Sequence, residues 1–139
     1  MSDKAKLNNT PQTVLVVDNL DETRELLNRW LTKEGYRVLE AKSGVQAVEL
    51  ALHEQPDLIL MDIKMPLGDG LSATRELRAQ PFLRDVPIVA FSGDNTQFNR
   101  EAAQAAGCNE FLAKPLAPEE LSTVLRRFLP VRDAQVANS

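Results

Sequence analysis

The sequence predicts an α/β protein, a single doubly wound (βα)5 domain built on a five-stranded parallel sheet. Three observations carry that expectation. Apolar runs such as Thr13–Val17 and Leu58–Met61 show no apolar/polar alternation, the pattern of strands buried on both faces. Segments with helical spacing of apolar residues lie between the runs, so strands and helices alternate, as they do where helices cover both faces of a parallel sheet. The 139 residues suffice for one ordinary core and leave no stretch for a second domain.

Taken in order, residues 1–12 are polar and rich in Lys, Asn and Thr, and are expected to form a disordered N-terminal tail. The domain proper then runs over 13–129. Its first strand, Thr13–Val17, ends at Asp18. A helix over Glu22–Glu34 has Leu26, Leu27, Trp30 and Leu31 as its apolar stripe and Gly35 as its stop. Asp21 and Glu22 fall at its start, where the helix dipole favours negative charge. Tyr36–Glu40 is a second strand. Ser43 followed three residues later by Gln46 is a capping-box pattern. It opens a helix to about Glu54 with Val45, Val48, Leu52 and the alanines turned inward, and Pro56 stops it. The third strand is Asp57–Ile63. Gly68-Asp69-Gly70 reads as a turn before a helix from Leu71 to about Ala79. Pro87–Phe91 is the fourth strand, followed by the loop Ser92-Gly93-Asp94-Asn95 and an alanine-rich helix, Thr96–Ala106, closed by Gly107. Asn109–Ala113 is the fifth strand. Pro118 opens the last helix, a favoured place for proline, which runs to about Leu129. Residues 130–139 are expected to be a loose C-terminal tail.

Composition bounds the function. Hydrophobic content of 43% and charged content of 26% place the chain in the soluble globular class. No apolar run approaches the roughly 20 residues of a membrane span, and the first twelve residues hold no signal-peptide apolar region. A single cysteine, Cys108, excludes an internal disulfide framework and fits a reducing, cytoplasmic location. One cysteine and one histidine, His53, cannot make a zinc site of the usual kind. The net charge of −4, with no basic stretch, argues against nucleic acid as a partner, and no membrane partner is expected.

The chemistry lies at the strand ends. Strand 1 ends in Asp18-Asn19, strand 3 in Asp62, strand 4 leads into Ser92, and strand 5 into Lys114-Pro115. In a parallel sheet these ends share one rim, where ligands bind at the topological switch point. Asp18, Asn19 and Asp62 are hard oxygen donors suited to Mg2+. A lysine can pair with a carboxylate or with phosphate oxygens. Asp62 then becomes a plausible nucleophile, since carboxylates form acyl-phosphates. Each residue also has a plainer use: Asp62 as a turn carboxylate, Asp18 as a helix cap, Ser92 as a loop serine, Lys114 and the Lys64/Asp94 pair as surface charges, Phe111 as core.

With these residues in this order, the chain resembles a response-regulator receiver domain of two-component signalling, similar to CheY. The resemblance spans about Thr13 to Leu129. It rests on Val16-Val17-Asp18, Met61-Asp62-Ile63-Lys64-Met65-Pro66, Asp69-Gly70, Ser92 and Phe111-Leu112-Ala113-Lys114-Pro115. It implies a flavodoxin-like sheet of strand order 2-1-3-4-5. It implies that Asp62 accepts a phosphoryl group from a histidine kinase or histidine phosphotransfer protein, with Lys114 and Ser92 contacting that group. Mg2+ would be held by Asp18, Asn19, Asp62 and the backbone carbonyl of Lys64. Ser92 and Phe111 would form the switch, Lys64 and Asp94 would tune phosphoryl lifetime, and the Lys114–Pro115 bond is often cis in the family. One departure stands out. The family usually has a second acid where this chain has Asn19, so Mg2+ binding is expected to be weakened rather than lost.

The expected protein is therefore a single-domain response regulator, not an enzyme beyond its own phosphorylation and dephosphorylation. It would be a monomer or weak dimer that signals to an unknown downstream protein through the face formed by the fourth helix, fifth strand and fifth helix. The alternatives are a relay component, a receiver fragment of a hybrid histidine kinase, and a phosphorylation-independent pseudo-receiver scaffold. A phosphohydrolase resembling the haloacid dehalogenases would need an aspartate two positions after Asp62, where this chain has Lys64.

Overall fold

The computed structural model describes residues 10–66 and 69–130. Five strands, β1 (Thr13–Val17), β2 (Arg37–Ala41), β3 (Leu58–Asp62), β4 (Ile88–Ser92) and β5 (Glu110–Ala113), alternate with five helices. The helices are α1 (Asp21–Lys33), α2 (Gly44–Glu54), α3 (Asp69–Arg78), α4 (Gln97–Ala106) and α5 (Pro118–Phe128). The sheet order is β2-β1-β3-β4-β5, parallel throughout, with Val17 beside Met61 and Asp62 beside Phe91. The chain order reverses at β1, so the carboxyl ends of β1 and β3 flank the switch point.

Burial explains the missing alternation. Every residue of β1, β3 and β4 is buried, because each face of these strands is covered. Leu15, Val17, Ile59, Met61, Ile88 and Ala90 pack with α2, α3 and α4 residues such as Val48, Leu77 and Ala103. Their neighbours Val14, Val16, Leu58, Leu60, Val89 and Phe91 pack on the other face with Leu27 and Leu31 of α1 and with Leu121, Val124 and Leu125 of α5. Successive strand side chains point to opposite faces, so each strand serves both cores.

Helix ends follow local chemistry. Ser43 Oγ accepts from the Gln46 N–H at 3.1 Å and caps α2. Gln46 Oε1 reaches one residue further back than a capping box requires, to the Lys42 N–H at 2.8 Å. Thr96, expected as the first helical residue, is instead the cap of α4, accepting from the Asn99 N–H at 3.2 Å. Gly107 ends α4 at φ 119°, a conformation glycine takes without strain.

Three expectations are corrected. Leu26 is 60% exposed, not part of the α1 core stripe; Leu27 and Leu31 alone are buried there, and Leu26 lines an open groove with Trp30, Pro115 and Pro118. Val45 is 70% exposed, since α2 buries Gly44, Ala47, Val48 and Ala51, a stripe that excludes it. Asp69 and Gly70 belong to α3 rather than to a turn before it. Gly68, residues 1–9 of the expected N-terminal tail and residues 131–139 of the expected C-terminal tail lie outside the described residues. Gln12 already takes part in the sheet, its carbonyl accepting from the Arg37 N–H at 2.9 Å. No helix among the described residues is long and apolar enough to cross a membrane.

Candidate functional site

The carboxyl ends of β1, β3, β4 and β5 meet at a cleft of ≈ 540 Å³, whose walls include Asn19, Asp62, Lys64, Ser92, Asp94 and Lys114. Asp18 lies beneath it, fully buried. Its Oδ1 accepts from the Leu20 N–H at 2.8 Å and its Oδ2 from Lys114 Nζ at 3.0 Å. Asp62 is 2% exposed. Its Oδ1 accepts from the Lys64 N–H at 2.9 Å and its Oδ2 from Lys114 Nζ at 3.3 Å. A single ammonium therefore bridges two carboxylates 44 residues apart in the sequence.

Electrostatics follows from that sharing. Burial pushes the Asp62 carboxyl above its ordinary range, and nearby Asp18 adds to the rise, against the Lys64 N–H and Lys114. Burial works against the charge on Lys114, but its bonds to Asp18 and the field of Asp62 more than offset this and hold the ammonium above its usual range. Lys114 also sits 5.1 Å from the centre of the Phe91 ring, a favourable place for a cation. Its backbone N–H donates to the Ser92 carbonyl at 2.9 Å, and the bond to Pro115 is cis.

The other expected residues take different places. Ser92 is buried, its Oγ accepting from the Asp94 N–H at 3.0 Å. Asn19 is exposed at the rim, one residue past Asp18. Lys64 and Asp94 form an ion pair at 3.9 Å across the mouth, both about half exposed. Phe111 does not line the cleft. It packs into the core on the α4 side, with the Arg100 guanidinium 4.8 Å above its ring. His53 is exposed on α2. Among the described residues no three Asp, Glu, His or Cys side chains cluster together, so the two acids of the cleft stand with neutral oxygens as neighbours.

Two residues outside the expected site set also shape it. Gly70 abuts the site from α3: a Cβ there would stand 2.3 Å from the Asp62 carbonyl oxygen. Arg24 of α1 donates to the Asp18 carbonyl at 2.8 Å. The Asp-Gly pair could have flagged the first; nothing local in the sequence flags the second.

Fold and rim together define a doubly wound α/β protein with its polar groups gathered at the switch point of its sheet. The chain belongs to the response regulator receiver domain family of two-component signalling, whose profile matches residues 14–126. The response regulator MprA of Mycobacterium sp. (strain KMS) is 38% identical over 119 residues, covering 86% of this chain and 51% of MprA. This chain spans about half the length of the curated relatives it matches. The receiver domain of sensor histidine kinase PA1611 from Pseudomonas aeruginosa PAO1, solved with magnesium coordinated in its active site cleft, is 40% identical. It superposes with a TM-score of 0.79 over 86% of this chain and 98% of that one. The structure of the Saccharomyces cerevisiae histidine phosphotransfer protein Ypd1 with the receiver domain of its downstream response regulator Ssk1 matches at 27% identity. Its TM-score is 0.77, over 85% of this chain and 88% of that one.

Proposed function

We propose that this chain is a phosphorylation-controlled signalling module in which Asp62 accepts a phosphoryl group from a phosphohistidine of a histidine kinase or histidine phosphotransfer protein. The reach of Lys114 Nζ to both Asp18 and Asp62, at the edge of an open cleft, carries this reading. An ammonium shared between two buried acids offsets charge at both and can move onto an incoming phosphoryl oxygen. The Ypd1–Ssk1 structure joins a receiver domain to a histidine phosphotransfer protein, which supports the same class of partner here.

The residues fit Mg2+. Asp18, Asn19, Asp62 and the Lys64 carbonyl are hard oxygens, and burial together with Asp18 already disfavours the charge on Asp62. These four would hold the ion, as the PA1611 receiver holds magnesium in its own cleft. When bound, it would supply charge neutralisation for the transferring group. Asn19 offers an oxygen without a charge, so the ion would be held more weakly than by an acid.

In the transfer, an Asp62 carboxylate oxygen forms the P–O bond as the P–N bond to the donor imidazole breaks. The imidazole nitrogen keeps the electron pair and takes a proton from water. Lys114 would follow the negative charge onto the phosphoryl group. The Ser92 hydroxyl would donate to a phosphoryl oxygen and pass the change through β5 to Phe111, altering the α4-β5-α5 face to which a downstream protein binds. Arg100 of α4, Phe111 of β5 and Thr123 of α5 line a groove on that face. The Lys64–Asp94 pair across the mouth would hinder attacking water and lengthen the phosphoryl lifetime. The working place of such a module is the cytoplasm.

The test is mass spectrometry after incubation with acetyl phosphate and Mg2+. The expected result is the addition of one phosphate, abolished by Asp62→Ala. Asn19 is the observation that favours a phosphorylation-independent scaffold, and the absence of any adduct on wild type would establish that reading instead.

A further inference from the structure

Arg24 occupies an unfavourable place. It lies in the first turn of α1, where the helix dipole disfavours a cation, and its side chain is only 12% exposed. Burial works against its charge, yet bonds to Asp21 and Glu40 more than offset this and hold the guanidinium above the ordinary arginine range. All three nitrogens are committed. Nε donates to Glu40 Oε1 at 3.1 Å, Nη2 donates to Asp21 Oδ1, and Nη1 donates to the Asp18 carbonyl at 2.8 Å. Glu40 is itself fixed from α1, its Oε2 accepting from Asn28 Nδ2 at 2.6 Å.

The geometry points to Arg24, braced on Glu40, as a positioning residue for the phosphoacceptor site: its bond to the Asp18 carbonyl sets the β1–α1 turn that aims the Asp18 carboxylate and carries Asn19. The inference rests on the functional reading above. A residue kept only for stability would need no more than its acids. Here the third bond goes to the main chain of a site residue, in a turn also held by the Leu20 N–H on Asp18 Oδ1 at 2.8 Å, the Asp18 N–H on the Ala41 carbonyl at 3.1 Å, the Arg24 N–H on the Leu20 carbonyl at 3.2 Å and Lys114 Nζ on Asp18 Oδ2 at 3.0 Å. The rigid guanidinium fork fits such a three-way tie, whereas an ammonium is a point charge that cannot span the same partners. Partners behind a metal ligand commonly change affinity 10–100-fold when removed.

The test is a Mg2+ titration of the full chain followed by backbone amide shifts, with hydrogen exchange at the Leu20 amide measured without metal. Arg24→Ala, Arg24→Lys and Glu40→Gln are compared with Arg37→Ala, which breaks the Arg37–Glu54 ion pair away from the site. Arg24→Ala is expected to weaken Mg2+ about tenfold and to speed Leu20 exchange, with Arg24→Lys and Glu40→Gln intermediate. Arg37→Ala should move neither readout. Should Arg24→Ala fail to fold, the other two variants carry the test. Mg2+ affinity within twofold of wild type in folded Arg24→Lys and Glu40→Gln overturns the inference, whatever their melting temperatures. A wild type that binds no Mg2+ overturns the functional reading instead.

Discussion

Single residues at the rim differ in how far the sequence betrays them. Asp18, Asp62, Ser92 and Lys114 each follow an apolar run, so their convergence on one edge is a consequence of parallel strands. Arg24 gives no such sign. Its partner Glu40 is 16 positions away on β2, and charge at the start of α1 draws attention to Asp21 and Glu22 instead. Phe111 and Ser92 stand on adjacent strands two register steps apart, a relation that only the β4–β5 pairing reveals. Asn19 is legible but its consequence is a matter of magnitude. At an effective dielectric near 20, a unit-charge pair at 4 Å is worth about 4 kcal/mol gross. Exposure to water and repulsion from Asp18 and Asp62 reduce the net gain from a third acid. Asn19→Asp should therefore tighten Mg2+ binding by about tenfold, about 1.4 kcal/mol. Equal Mg2+ affinities for the two proteins in a calorimetric titration would remove Asn19 as the weak point of the site.

At the scale of elements, strands were read more closely than helices. A strand buried on both faces needs only apolar content, so β1, β3 and β4 are recognisable from composition within a short window. A helix must also place its apolar residues within one arc, and each step turns the side chain by about 100°. Leu26 and Val45 fall one step outside the arcs that Leu27–Leu31 and Ala47–Val48–Ala51 define. The start of α3 shows a different limit. Asp-Gly signals a turn, but Gly70 is helical and is small because the backbone of β3 passes against it. A Cβ at position 70 would lie 2.3 Å from the Asp62 carbonyl oxygen and 2.4 Å from the Ile63 Cα, and neither main-chain atom can swing aside. Gly70→Ala should thus cost about 1–3 kcal/mol of stability by overpacking. It should also slow acetyl phosphate labelling more than a surface change of equal stability cost, because the displaced atoms are the carbonyl of Asp62, the proposed phosphoacceptor, and the Cα of its neighbour Ile63. Chemical denaturation and labelling rates measured side by side check this, and an unchanged rate in a destabilised variant would show that α3 leaves Asp62 in place.

For the whole molecule, the layer order and the two-sided core are legible because helices and strands alternate without remainder and the strands have no polar face, while the strand order is what the resemblance implies. What neither alternation nor resemblance conveys is the cost of the site to the fold. The Asp62 carboxyl is raised by burial and by Asp18, so folding favours its neutral form. A group whose folded pKa lies above its unfolded value contributes stability below the unfolded pKa and loses it as pH rises through the folded one. Near neutrality metal-free protein has lost that contribution, so Asp62 is a cost to folding, and Lys114, shared with Asp18, offsets only part of it. Asp62→Asn keeps the acceptor for the Lys64 N–H without the charge, and its melting temperature should exceed that of wild type at neutral pH without Mg2+. The difference should close as pH falls below the ordinary carboxylate range, where Asp62 is neutral in both states. Thermal denaturation across that pH range measures it, and a variant no more stable than wild type at neutral pH would mean that Lys114 already balances the carboxylate without a metal.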